Sequence, residues 1–92
     1  MLLPVYTKQF KKEIKKIKKS GHKDIEKLKT VMETLIDEKP LDRFYKDHPL
    51  KGNFKERREC HIEPNWLLVY MVNKKEKTII FERTGTHSDL FE

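Results

Sequence analysis

The stretch RRECHIEPNWLLVYMVNKKEKTIIFERT, Arg57 to Thr84, decides the fold of this 92-residue chain. It divides into three runs rich in β-branched and aromatic residues, Arg57 to Glu63, Trp66 to Val72 and Thr78 to Thr84. Glu63-Pro64-Asn65 and Asn73-Lys74-Lys75-Glu76 separate the runs, and both joints have turn composition and are too short for a crossover. An antiparallel meander follows. Immediately upstream, Pro40 to Asn53 shows neither a helical nor a strand period but contains Pro40, Pro49 and Gly52, which predicts a long ordered or semi-ordered loop. Loops of that length are often functional.

Further upstream the period changes to that of helices. Phe10, Ile14 and Ile17 recur at i, i+4 and i+7, which puts them on one helical face, with Thr7 suited to the start and Gly21 to the end. A second helix is expected from about Asp24, where Ile25, Leu28, Met32, Leu35 and Ile36 repeat at steps of three and four, and Pro40 limits it. The short Ser20-Gly21-His22-Lys23 link makes the two helices antiparallel neighbours. Leu2 to Tyr6 adds an edge strand, where Pro4 is tolerated because an edge amide need not pair. The expected architecture is a single α+β domain over residues 1–92, ordered β-α-α-β-β-β, with the helical hairpin on one face of an antiparallel sheet.

The composition narrows the function classes. Ninety-two residues hold about one domain, which excludes a multidomain enzyme. Charged residues reach 39%, and 21 Lys+Arg against 15 Asp+Glu gives a net charge of +6, which favours a polyanionic or acidic partner. That charge lies in the first helix, where residues 8–19 hold seven lysines and one acid, Glu13. Lys11, Lys15 and Lys18 are expected to track a nucleic-acid backbone. No apolar run approaches the roughly 20 residues of a spanning helix, and the start lacks signal-peptide organisation. Cys60 is the only cysteine, which excludes an internal disulfide and a thiolate zinc cluster and fits a reducing cytoplasm. No glycine-rich phosphate loop is present, because Gly21, Gly52 and Gly85 lie far apart.

Among the side chains that carry chemistry, Cys60 and His61 are strand neighbours and point to opposite faces, so Cys60 is read as core. His22 reads as a solvated loop residue. His48 in the long loop, His61 on the first meander strand and His87 after the last strand can be brought together, with Arg83 nearby. Alternation places His61 on one face with Glu59 and Glu63. Such a set suits RNA cleavage by the neighbouring 2′-hydroxyl, which needs a base, an acid for the departing 5′ oxygen and a cation for the phosphorane. No metal or cofactor is required, because the nucleophile belongs to the substrate. Trp66, Tyr70 and Phe91 are candidates for exposed rings that stack on bases.

Three strings carry a resemblance: YKDHPLKG (Tyr45–Gly52), RECHIEPNW (Arg58–Trp66) and ERTGTHSDLF (Glu82–Phe91). In this order and over nearly the full chain, they resemble the YafQ branch of the RelE toxin superfamily, whose domain is microbial-ribonuclease-like. The resemblance implies a bacterial type II toxin: an endoribonuclease acting on mRNA, commonly on the ribosome, held inactive by a cognate antitoxin and touching operator DNA only through it. Carried over by position, it implies catalytic roles for His48, His61 and His87, and RNA contacts for Lys51, Arg83, Asn65, Trp66 and Phe91. Arg83 would meet the phosphate, and Phe91 would stack on a base or serve as a positioning residue. Relatives often carry an aspartate where this chain has Asn65. An amide cannot take a proton at neutral pH, which shifts the base role toward His48 or His61. The alternatives are a catalytically weak module that binds its antitoxin and co-represses their operon, or a basic ribosome-associated protein without chemistry.

Overall fold

In the computed structural model, which describes residues 1–52 and 56–91, five strands form one sheet in the order β1-β5-β4-β3-β2. The chain runs β1 (Leu3–Tyr6), α1 (Lys8–Ser20), α2 (Ile25–Ile36), a 3₁₀ turn (Arg43–Tyr45), β2 (His48–Pro49), β3 (Arg58–Glu63), β4 (Trp66–Asn73), β5 (Thr78–Gly85) and α3 (His87–Phe91). The meander of β3, β4 and β5 is antiparallel as expected. The sheet as a whole is mixed, because β1 joins the β5 edge in parallel, Leu3 opposite Thr78 and Tyr6 opposite Phe81. Its direction is set where α1 begins: the Thr7 amide donates to the Phe81 carbonyl at 3.2 Å and the Thr7 hydroxyl to the Glu82 carbonyl at 2.8 Å.

The helices follow the local chemistry. Thr7 accepts from the Phe10 amide at 3.0 Å and caps α1, and Gly21 ends it at φ 68°, a conformation that glycine adopts without steric cost. Asp24 caps α2 through the Glu26 amide at 3.0 Å. Phe10, Ile17, Leu28 and Val31 are buried and pack with Cys60, Ile62, Trp66, Leu68, Tyr70, Ile79 and Phe81 into the main core between hairpin and sheet. Val31, outside the expected series, is more buried than Met32, whose position grazes the rim of the core.

Residues 40–52 carry more order than their sequence suggests; Asn53, the expected end of the loop, lies outside the described residues. Asp42 caps the 3₁₀ turn, and β2 adds two residues to β3, with His48 opposite Glu59 and Pro49 opposite Arg58. Asp47 pins the segment: it accepts from the Tyr70 hydroxyl at 2.5 Å and from the Arg58 guanidinium at 3.2 and 3.4 Å. The Tyr70 hydroxyl titrates far above its ordinary value, through burial first and then its bond to Asp47.

The other sheet face carries a smaller cluster, Leu67 and Val69 under Leu90 of α3, with Leu50 against its margin. Because β4 is buried on both faces, its apolar run is continuous rather than alternating. Opposite pairs in register share a face, so His48, Glu59 and His61 stand with Leu67 and Val69 on the side away from the hairpin.

Candidate active site

On that open face, three imidazoles form a row. The ring centroids of His48 and His61 lie 6.3 Å apart and those of His61 and His87 5.9 Å, and the Phe91 ring continues the row 6.5 Å from His87. Each histidine comes from a different element: β2, β3 and the first position of α3. Beneath the row, Oε1 of Glu59 lies 3.5 Å from Nε2 of His48 and 3.4 Å from Nε2 of His61. The Glu59 side chain is 7% exposed, so one buried carboxylate faces two rings in place of water.

Backbone oxygens orient both rings from the other side. His48 Nδ1 is 2.6 Å from the Lys46 carbonyl and His61 Nδ1 is 3.4 Å from the Pro64 carbonyl. A carbonyl only accepts, so each Nδ1 carries hydrogen and the Nε2 atoms face Glu59. The third ring is held differently. The His87 amide donates to Oδ1 of Asn65 at 3.3 Å, which identifies that atom as the acceptor, and His87 Nδ1 lies at 3.3 Å from the same oxygen. His87 Nδ1 is therefore the donor, and Nε2 points away from Asn65.

The helix that presents His87 is closed by a reciprocal cap. Thr86 accepts from the Asp89 amide at 3.1 Å, and Asp89 accepts from the Thr86 amide at 3.0 Å. Hydrogen bonds from the Thr86 amide and hydroxyl hold the Asp89 carboxyl below the usual carboxylate range, with Lys16 and Lys23 adding to the shift. Gly85 makes room for the cap: a Cβ there would stand 3.0 Å from Oδ2 of Asp89.

Arg83 lies beside α3, where its Nη2 donates to the Asp89 carbonyl at 3.3 Å. Asn65 supports His87, and Phe91 is 40% exposed next to it. Lys51 is exposed on the loop after β2. Three expectations are corrected. Trp66 is fully buried in the main core, with Nε1 donating to Thr84 Oγ1 at 2.9 Å, and Tyr70 is 2% exposed, so neither offers a face to a base. Both point to the hairpin side, because they alternate with Leu67 and Val69. The bulge between His61 and Glu63 also removes Glu63 from the site; its carboxylate pairs with Lys27 of α2 at 3.0 Å. Cys60 is core as expected, and burial pushes its thiol far above the ordinary value, with Asp47 and Glu59 adding to the shift. Glu59 was legible only as a neighbour of His61; its register opposite His48 completes the pair. Among the described residues, no three of His, Cys, Asp and Glu are placed to hold a metal ion, and no helix is long and apolar enough to cross a membrane.

Comparison with known proteins places the chain in a family. A family model described as the bacterial toxin of type II toxin-antitoxin systems, YafQ, matches residues 3–92. The mRNA interferase toxin YafQ of Escherichia coli K12 is 47% identical over 87 residues, covering 94% of this chain and 91% of that protein. A putative toxin YafQ of Haemophilus influenzae is 30% identical over 87 residues, covering 90% and 85%. The toxin in a crystal structure of the E. coli DinJ-YafQ complex superposes with a TM-score of 0.91 at 44% identity, over 100% of both chains. The chain belongs to the YafQ family of bacterial type II toxin-antitoxin toxins.

Proposed function

We propose that this protein is an endoribonuclease that cleaves mRNA on the ribosome in the cytoplasm, by acid/base chemistry in which the substrate supplies the nucleophile. The observation that carries the reading is the row of His48, His61 and His87 over the buried Glu59, on the face opposite the helical hairpin. The ribose 2′ oxygen attacks the adjacent phosphorus while the P–O5′ bond breaks, giving a 2′,3′-cyclic phosphate and a 5′-hydroxyl. The 2′ proton passes to the imidazole pair of His48 and His61, whose Nε2 atoms lie 3.5 and 3.4 Å from Oε1 of Glu59. His87 delivers a proton from Nε2 to the departing 5′ oxygen, because Asn65 occupies its Nδ1. Arg83 stabilises the charge of the phosphorane, Phe91 stacks on a base, and Lys51 meets the backbone.

A cognate antitoxin holds the protein inactive, as the complex containing the E. coli relative suggests, and operator DNA is reached through that antitoxin. Primer extension on mRNA during controlled expression tests the reading against its alternative, an antitoxin-binding co-repressor with little activity. The parent is expected to produce new 5′ ends that His87→Ala reduces by about 10²–10⁴ in rate. Equal cleavage by both proteins would remove His87 from the acid role, and antitoxin binding without cleavage would establish the alternative.

A further inference from the structure

The single acid of the lysine-covered helix is the group the proposed chemistry leaves unexplained. Glu13 is buried to 12% exposure and reaches from α1 to the C-terminal end of β5. Its Oε2 accepts from Arg83 Nε at 2.9 Å and Nη2 at 2.6 Å, and its Oε1 accepts from the Thr84 amide at 2.9 Å. The Asp89 carbonyl takes a further Nη2 hydrogen. A guanidinium has five N–H groups, so these contacts fix its plane and, among the described residues, leave the Nη1 hydrogens for another acceptor. The arginine stands at a cleft of about 380 Å³ that Lys12, Lys16 and Lys23 also line. A carboxylate placed among lysines repels RNA phosphate unless it is neutralised, and the Arg83 contact neutralises it while turning the cation toward α3.

We propose that Glu13 is a positioning residue for Arg83 in RNA cleavage. The inference rests on the proposed ribonuclease activity. Glu13 holds the guanidinium in a single orientation before substrate arrives, so that its remaining donors meet phosphate charge as it develops. Glutamine cannot replace it, because both carboxylate oxygens accept from N–H groups and an amide would set its own NH₂ against one of them.

The test is single-turnover cleavage of a defined mRNA on programmed ribosomes by the full-length parent, Glu13→Gln, Arg83→Ala and the double variant, with thermal melts of each. Glu13→Asp serves as a second variant that keeps the charge but shortens the reach by one methylene. We expect Glu13→Gln to lower the maximal single-turnover rate by about 10–100-fold with the half-saturating concentration within about twofold, Arg83→Ala to lower the rate further, and the double variant to match Arg83→Ala. A structural staple would instead lower the melting temperatures of Glu13→Gln and Arg83→Ala in step with their turnover, and independent roles would give losses that add in the double variant; either result would overturn the inference. So would unchanged turnover in Glu13→Gln or Glu13→Asp beside an active parent. An inactive parent would overturn the proposed function itself, and the inference with it.

Discussion

At the residue scale, Asn65 shows how one contact changes a mechanistic expectation. From the sequence, an amide in the place of an aspartate bears on the general base. In the structure the side chain touches His87, the proposed acid, at Nδ1. A carboxylate 3.3 Å from that nitrogen would favour the imidazolium. Asn65→Asp is therefore expected to extend His87's charged form to higher pH and move the alkaline limb of the rate profile upward. Its rate at neutral pH should change little, because the base unit lies on β2 and β3. A single-turnover pH profile of parent and variant checks this, and an unmoved alkaline limb would separate Asn65 from His87. The same scale explains why aromatic character misleads: Trp66 and Tyr70 find partners inside the protein, Thr84 and Asp47, which satisfy their polar atoms under burial.

At the element scale, α3 is too short to be stable by its own hydrogen bonds and depends on its cap and on Leu90. Removing this half of the cap with Asp89→Ala should cost about 0.3–1.5 kcal/mol, concentrated in this helix, and lower turnover by freeing His87. The pH dependence has a definite sign. The Asp89 carboxyl is depressed below its reference value of 3.8 in the folded protein, so its contribution is present above that pH. It is lost as the pH falls through the depressed value. Amide exchange at Leu90, whose N–H donates to the Thr86 carbonyl at 3.1 Å, should rise in Asp89→Ala at neutral pH and in the parent only on acidification. Equal protection in both proteins would show that Leu90 packing holds the helix alone. Gly85 belongs to the same device, because any side chain there would press on Asp89.

At the scale of the whole molecule, the lysines of α1 divide into two sides. Lys11, Lys15 and Lys18 flank an apolar groove formed with Tyr6, Phe10, Ile14 and α2, whereas Lys12 and Lys16 line the cleft beside Arg83. Charge reversal at Lys12 and Lys16 is therefore expected to weaken RNA binding and flatten its salt dependence by about one to two contacts. Reversal at Lys11 and Lys15 should change the slope less. Titrations of a fixed RNA across ionic strength compare the pairs, and equal slopes would mean that the helix acts through its total charge.

The helices, the meander and the three histidines were legible from sequence because they rest on local rules: period, capping, turn composition and strand alternation. Glu63 left the site because a bulge interrupts alternation, and a bulge depends on how two strands pair. The two-residue strand carrying His48 had no period to reveal it; Asp47 fixes it through Tyr70 and Arg58, 23 and 11 residues away. The partners of Arg83 and His87 are likewise distant in sequence, at 70 and 22 residues. Local pattern specified the helical hairpin, the edge strand, the meander and the chemistry their residues carry. Which carboxylate faces which cation, which ring is buried and which lysines border the cleft were decided by tertiary packing, because those contacts join segments whose separation no local pattern encodes.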